Sequence, residues 1–165
     1  MKDSEDIINS MISFLTEDVG GGISRINQAI IDVNSEKGDN LLPPASNDII
    51  LGQRLQELNI FKNGRLNLDV AGESKFNPSY DMVAKNYIVE VSYIIRDDFS
   101  KNVFIRALRM ERVITDIMQC YFKEAQEAGF VRGEVESAFT PERVLLGNTD
   151  FKAIKSGIVY NVTIF

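Results

Sequence analysis

The residues with the clearest potential for binding chemistry are three arginines, Arg106, Arg109 and Arg112. Their spacing of three places them along one side of a predicted helix, where they could bind phosphate groups. The chain as a whole is acidic, with a formal net charge of −6. A solvated row that pairs with Glu111, Asp116 or a neighbouring subunit is therefore the favoured interpretation. We interpret the three arginines as structural or interfacial.

Two other clusters have simple structural explanations. Asp97 and Asp98 lie between a strand-like and a helix-like segment, where carboxylates cap a helix and complement its dipole. Capping explains this pair better than a metal site does, and no spacing in the chain resembles a calcium loop. The run from Gly20 to Gly22 follows a helix and has no Gly-Lys-Ser/Thr after it, so it does not fit a phosphate-binding loop. We interpret it as a hinge between two helices.

The chain contains no histidine, which removes the commonest general base and the commonest transition-metal ligand. Cys120 is the single cysteine, and we interpret it as a half-buried structural thiol because a nucleophile would need a basic partner. We therefore expect no catalytic, cofactor-binding or metal-binding residue, and a protein that is not an enzyme. No apolar run reaches the length of a membrane span. The acidic N-terminus lacks a secretory leader.

The second half of the chain has the clearer secondary-structure pattern. Alternation predicts a strand over 87–96, and a 4-3-4 apolar rhythm predicts an amphipathic helix over 101–127 that lies across a sheet. Ser100 is the predicted N-cap, and Gly129 the stop. A strand over 130–139, an interruption at Pro141, a short strand over 143–146 and a long strand over 151–165 follow. The last two are predicted to be antiparallel neighbours.

The first half predicts two helices and a loop-rich region. A helix from Ser4, its predicted N-cap, extends to about residue 14, and a second one extends from about residue 23 to residue 33. Region 34–85 contains possible strands over 49–51 and 53–61, a hairpin signal at Asn63-Gly64 and a polar, turn-like stretch over 71–81. We expect an insertion or docking arm there that projects from a core built elsewhere.

Together these patterns predict a single α+β domain over residues 1–165. Its antiparallel-rich β-sheet carries one long amphipathic helix and N-terminal helices packed on one face, plus a hairpin-containing insertion. The last strand should lock Phe165 into the sheet. A C-terminal tag or a truncation into 162–165 should then be more damaging than an N-terminal tag.

The order of strand 87–96, helix 101–127, strand 130–139 and a closing strand resembles the tail-terminator or tail-completion (neck) proteins of long-tailed bacteriophages. The pattern Gly157-Ile158-Val159-Tyr160-Asn161-Val162-Thr163-Ile164 and the acidic composition add to the resemblance, which covers residues 85–165. The long 34–85 region departs from a compact member of the family.

The resemblance implies a structural virion protein, assembled in the host cytoplasm, that forms a homohexameric ring on the tail tube. The ring would stop tube polymerisation and join the tail to a head-side connector or stopper protein. DNA would pass through without specific binding, because like charges repel. Interface candidates are Arg54, Lys62 and Arg65 in the insertion, with Arg106, Arg109 and Arg112 facing a neighbour. The alternatives are a head-closure or tube protein, or a cellular acidic adaptor or ligand-binding domain.

Overall fold

The computed structural model describes residues 2–52, 63–79, 82–127, 129–130, 132–145 and 152–164. The chain has an α+β fold with a long helix, as predicted. Its elements are α1 (Ser4–Thr16), β1 (Asp18–Gly20), β2 (Ile23–Ser24), α2 (Arg25–Lys37), β3 (Ile50–Leu51), β4 (Arg65–Ser79), β5 (Met82–Arg96), α3 (Lys101–Glu127), β6 (Arg132–Leu145) and β7 (Lys152–Ile164).

The main sheet has the strand order β3-β4-β5-β7-β6. The short strand β3 is parallel to β4, and the other neighbours are antiparallel. The closing strand β7 therefore lies inside the sheet, paired with β5 on one side and with β6 on the other. The predicted antiparallel pairing near 143–146 is confirmed, because Arg143 is in register with Ile154.

The helices cover one face of this sheet because the strands alternate in polarity. On β5, the buried residues Val89, Val91 and Ile95 belong to the same core cluster as the apolar row of α3. That row is the predicted one: Val103, Ala107, Met110, Ile114, Ile117 and Tyr121 are all buried. Tyr121 packs edge-on against Tyr160 of β7, with ring centroids 5.5 Å apart. The amphipathic pattern thus fixes which side of α3 faces the sheet.

The predicted start of α3 is confirmed, whereas the predicted boundaries of α1 and α2 differ from the structure. The amide of Val103 donates to Ser100 Oγ at 3.3 Å, which confirms Ser100 at the start of α3. The prediction of Ser4 as the first N-cap is wrong, since Asp3 caps α1 and forms a reciprocal capping box with Asp6. Asp has the same capping chemistry as Ser and here lies one residue earlier. The second helix also begins two residues later than predicted and continues to Lys37.

The expectation that 34–85 projects from a core built elsewhere is wrong for much of that region. Leu42, Ile49, Leu66 and Leu68 are buried in the common core. The stretch over 71–79, predicted as turn-like, continues β4 and pairs with β5. Pairing with a neighbouring strand can override the weak strand propensity of polar residues. The predicted strand over 53–61 lies outside the described residues, and the described neighbours of β4 are β3 and β5.

Pro141 bends the edge strand and does not end it. The strand β6 continues from Arg132 to Leu145, with a register shift between Phe139 and Glu142. An edge strand tolerates proline because one side of its backbone has no ladder to maintain. Phe151 and Phe165, which were predicted to belong to the last strand, lie outside the described residues.

The structure explains why position 157, the first of the 157–164 pattern in the closing strand, is glycine. A Cβ atom at this position would lie 2.1 Å from the carbonyl oxygen of Val91 on β5. That atom belongs to the backbone and cannot rotate away, so the close approach of β5 and β7 requires glycine.

No described helix is long and apolar enough to span a membrane.

Candidate assembly surfaces

The three arginines of α3 form what we call the arginine flank, and each has a partner within the chain. Arg106 Nε donates to the carbonyl of Leu41 at 2.9 Å. Arg109 forms a bidentate pair with Asp39, with N–O distances of 2.5 and 2.8 Å. Arg112, the third arginine of the flank, forms a bidentate pair with Glu36, with N–O distances of 3.0 and 2.7 Å. Two parallel N–H···O bonds fix geometry as well as supplying attraction.

Of the two acidic partners predicted on α3 itself, one is found. Arg112 Nε lies 3.6 Å from the Asp116 carboxylate. Among the described side chains, Glu111 forms no ion pair with any of the three arginines. The arginines therefore attach α2 and the chain after it to α3. Their contact with a neighbouring subunit stays a prediction.

The segment that meets these arginines is residues 38–45, which we call the strap. Gly38 ends α2 in the left-handed conformation, with φ of 69°, and turns the chain back towards α3. Asn34 then clamps the strap: its Nδ2 donates to the Leu42 carbonyl at 2.9 Å, and its Oδ1 accepts the Leu42 amide at 3.1 Å. Asn27 makes the same pair of bonds with Ala45 at 3.1 and 2.7 Å.

Pairing with arginine also shifts the acid–base properties of the strap. The hydrogen bonds from Arg109 lower the pKa of Asp39 to about 2. The hydrogen bond and charge of Arg112 lower the pKa of Glu36. These side chains are largely open to solvent, where ion pairs contribute little to stability individually. The arginine flank orients the strap, and the buried Leu42 side chain anchors it.

Of the three interface candidates in region 34–85, Arg65 is the one that lies among the described residues. Arg65, at the start of β4, donates from Nη1 to Ser46 Oγ at 2.7 Å and to the carbonyl of Asp48 at 3.1 Å. It thus holds the chain that leads into β3 against β4. Arg54 and Lys62 lie outside the described residues. The role of all three in an interface stays a prediction.

The corner between β5 and α3 is built by the two aspartates. Asp97 is buried and accepts from the amide of Phe99 at 2.8 Å and from Nε of Arg143 at 3.0 Å. Asp98 accepts from the amide of Ser100 at 2.8 Å, and hydrogen bonding to Ser100 lowers its pKa. Both carboxylates shape the turn before α3, but the cap on an α3 amide comes from Ser100, so the prediction that the two aspartates cap the helix is wrong. Within the described ranges, no group of histidine, cysteine or acidic side chains could hold a metal ion.

This corner displays an aromatic side chain that sequence reasoning missed. Phe99 is 69% exposed and has a φ of 61°. The Arg143 guanidinium and the Lys152 ammonium lie 5.9 and 5.8 Å from its ring centroid. The signal was faint, because Phe99 is one residue in a short polar linker with no periodicity.

A second missed feature is an apolar flank on α3, made of Phe104, Leu108 and Phe122, all of them exposed. At about 100° per residue, Phe104 and Phe122 point the same way and Leu108 about 40° further round. Arg106 and Arg109 lie on the other side of the buried row, where α2 packs, and Arg112 lies about 40° from Leu108 on the outward side of the helix. Phe104, Leu108 and Phe122 do not follow the spacing of the buried row, so the sequence pattern could have predicted that they are exposed.

The two sheet edges differ in how they are protected. Along β6, register shifts after Val135 and after Phe139, together with Pro141 and several acidic side chains, disturb the outer edge. On β4, pairing with β3 covers only Asn67 and Leu68, and the stretch from Asp69 onward has no neighbour on that side within the described chain. Open edge backbone is a template for pairing with another chain.

The sheet face that no described helix covers carries a polar row at one end of its strands. Ser74, Asn86, Thr163 and Arg132 occupy neighbouring positions across four strands. They line a groove of about 280 Å³ together with Glu134 and Asn161. Thr163 Oγ1 donates to Asn86 Oδ1 at 3.2 Å, and Arg132 pairs with Glu134. Asn161 Oδ1, by contrast, is buried and has no hydrogen-bond partner among the described residues.

Two smaller predictions have clear outcomes. The run from Gly20 to Gly22 forms a tight hairpin between α1 and α2, and the Asp18 carboxylate accepts the amides of Gly20 and Gly22. The run connects the two helices as predicted, but it does so as a hydrogen-bonded hairpin between β1 and β2, and its role as a hinge stays a prediction. Cys120 was predicted to be half-buried and is exposed instead, with Sγ 3.7 Å from the carbonyl oxygen of Asp116. It lies beyond the edge of the buried row of α3.

These features define an α+β protein whose described surfaces offer edges and patches for association. Comparisons with protein-family models and with curated protein sequences find no match to this chain.

Proposed function

We propose that this chain is a structural virion protein that forms a ring at the head-proximal end of a phage tail tube. The ring, expected to be a homohexamer, terminates tail polymerisation and joins the tail to a head-side connector. The observation that carries this proposal is a sheet with its helices on one face and, among the described residues, no strand beside β4 from Asp69 onward. Such an edge can accept a strand from a neighbouring subunit or from the tube protein.

The charge of the chain supports the same function. A formal net charge of −6 per chain gives an assembled ring a strongly acidic total. An acidic lining in such a ring would repel DNA that passes through it. The arginines that could have bound phosphate, Arg106, Arg109 and Arg112, are engaged by the main-chain carbonyl of Leu41 and the carboxylates of Asp39 and Glu36. This arrangement favours passage of DNA over binding of it.

Mass photometry of the purified chain, combined with tail-tube capping, tests the proposal. We expect a discrete species of six times the 18.6 kDa chain mass. Added to tubes that are growing in vitro, it should bind one end and stop elongation. A tube protein would instead polymerise without a fixed size, and a head-closure protein would bind the connector and leave tube length unchanged. A chain that stays monomeric at high concentration and does not bind tubes contradicts the proposal.

A further inference from the structure

The conformation of Phe99 is unfavourable for an isolated chain. Its φ of 61° places a bulky residue in the left-handed region, which glycine and asparagine adopt far more readily. The ring is also 69% exposed, so burial within the chain does not compensate for the strain. The Asp97 carboxylate, itself buried, holds the turn by accepting the amide of Phe99. Strain of this kind is concentrated at functional positions.

Two cations lie beside this ring, and exposed apolar residues follow it in the sequence. Arg143 is fixed by its ion pair with Asp97, yet its side chain is 65% exposed. Lys152 is also exposed, and no carboxylate of the described residues lies within 4 Å of its ammonium. Phe104 and Leu108 begin the apolar flank of α3 a few residues further along the chain. We call Phe99, Arg143 and Lys152, with Phe104 and Leu108, the Phe99 cluster.

The opposite end of α3 carries the complementary charge. The Lys2 side chain lies against Gly129 and the ring of Phe130, which places the start of α1 beside the C-terminal end of α3. Glu5 and Glu127 are exposed carboxylates at this end, beside Asp3 and Asp6, whose carboxylates accept the amides of the α1 capping box. Because α3 has 27 residues, its two ends are roughly 40 Å apart.

We propose that the Phe99 cluster binds the acidic start of α1 in a second copy of this chain. The two surfaces are complementary in charge and lie at opposite ends of one molecule, so they cannot meet within a chain. A contact between different patches is head-to-tail, and it closes into a ring where the rotation permits. The inference rests on the proposed ring function and names the surfaces through which its subunits meet.

Replacing the strained aromatic separates folding from assembly. Phe99→Gly relieves the left-handed strain, so the melting midpoint of the monomer should stay the same or rise. The cation–ring distances of 5.8 and 5.9 Å lie at the outer limit of that interaction, and little stability is lost with it. The same variant should weaken association at least tenfold by mass photometry. Ile31→Ser, which removes an exposed apolar side chain from α2, away from the Phe99 cluster, is the control and should leave assembly unchanged.

Charge reversal identifies the partner surface. Lys152→Glu and Glu5→Lys should each reduce the assembled fraction, and the double variant should restore it. Neither residue anchors the fold, because Lys152 makes no ion pair with a described carboxylate and Glu5 is exposed on the first turn of α1. Assembly of the wild type should also weaken as salt is raised. Single reversals without effect, or a double variant no better than the singles, overturn the proposed contact.

The outcomes distinguish this inference from the proposed function. If the Phe99→Gly variant and both charge-reversal variants still form rings that cap tubes, the contact is contradicted and the proposed function is unaffected. A wild type that assembles through these residues but fails to cap tubes supports the contact and contradicts the tail function. A wild type that is monomeric at all concentrations contradicts both.

Discussion

On one flank of α3, Arg106, Arg109 and Arg112 each reach a partner on α2 or the strap, whereas on the other flank Phe104 and Leu108 remain exposed. The residue types suggest the reverse, because charged side chains are normally left to solvent and apolar ones buried. The charged flank serves the internal structure of the chain. The apolar flank is what remains for a partner.

The contrast shows why charge alone is a poor guide to a binding site here. An arginine with a nearby carboxylate has its attraction for a ligand partly cancelled, and a bidentate pair fixes its geometry. Phe104 is exposed, and among the described residues it is not part of the buried core cluster. Surfaces for association are therefore better sought where the fold leaves apolar groups without a partner.

The largest loss in the free energy of unfolding is expected on truncation of Leu42, the residue that anchors the strap. Leu42→Ala removes a buried side chain that lies beneath the arginine flank, and we expect a loss of about 2–5 kcal/mol in the free energy of unfolding. Urea denaturation followed by circular dichroism measures it. Leu51→Ala is the control, because Leu51 is half exposed and its truncation should cost far less. Equal losses in the two variants would mean that the strap is not anchored through Leu42.

The asparagine clamps should give the next largest effect. Asn34→Ala leaves the buried amide and carbonyl of Leu42 without their partners, and we expect a loss of about 1–3 kcal/mol. Asn27→Ala removes the equivalent bonds to Ala45 at a less buried position. Because water can replace bonds there, it should cost less. The same denaturation experiment compares them, and a larger loss in Asn27→Ala would contradict this ranking.

Much of this fold could be predicted from the sequence, because periodicity reports burial directly. The row from Val103 to Tyr121 and the alternation over 87–96 were readable for that reason. The 71–79 part of β4 was not readable, since its polar residues become a strand only through pairing with β5. The Asn34 clamp and the Arg109–Asp39 pair were also hidden. Each joins residues whose approach depends on how α2 packs against α3.

The ion pairs of the arginine flank should produce a smaller effect that depends on pH. Pairing lowers the folded-state pKa of Asp39 to about 2 from 3.8. Its contribution is therefore complete above about pH 4 and is lost as the pH falls through the folded-state value near 2. Asp39→Asn should lower the melting midpoint at pH 6 and make a smaller difference at pH 2. Asp32→Asn is the control, because Asp32 is an exposed residue of α2 that makes no ion pair with a described side chain. A difference for Asp39→Asn that persists unchanged at pH 2 would exclude the ion pair as its cause.

The smallest effect on folding, and the most telling one for the comparison, should come from the apolar flank. Phe104→Ser and Leu108→Ser replace exposed side chains, and each should change the free energy of unfolding by no more than about 0.5 kcal/mol. Both should nevertheless reduce association in mass photometry, because the removed groups would be buried only against a second copy. Phe122→Ser, on the same flank but about five turns from Phe104, should affect association less. If Phe104→Ser destabilised the monomer as much as Leu42→Ala does, the flank would belong to the internal core and the contrast between the two sides of α3 would fail.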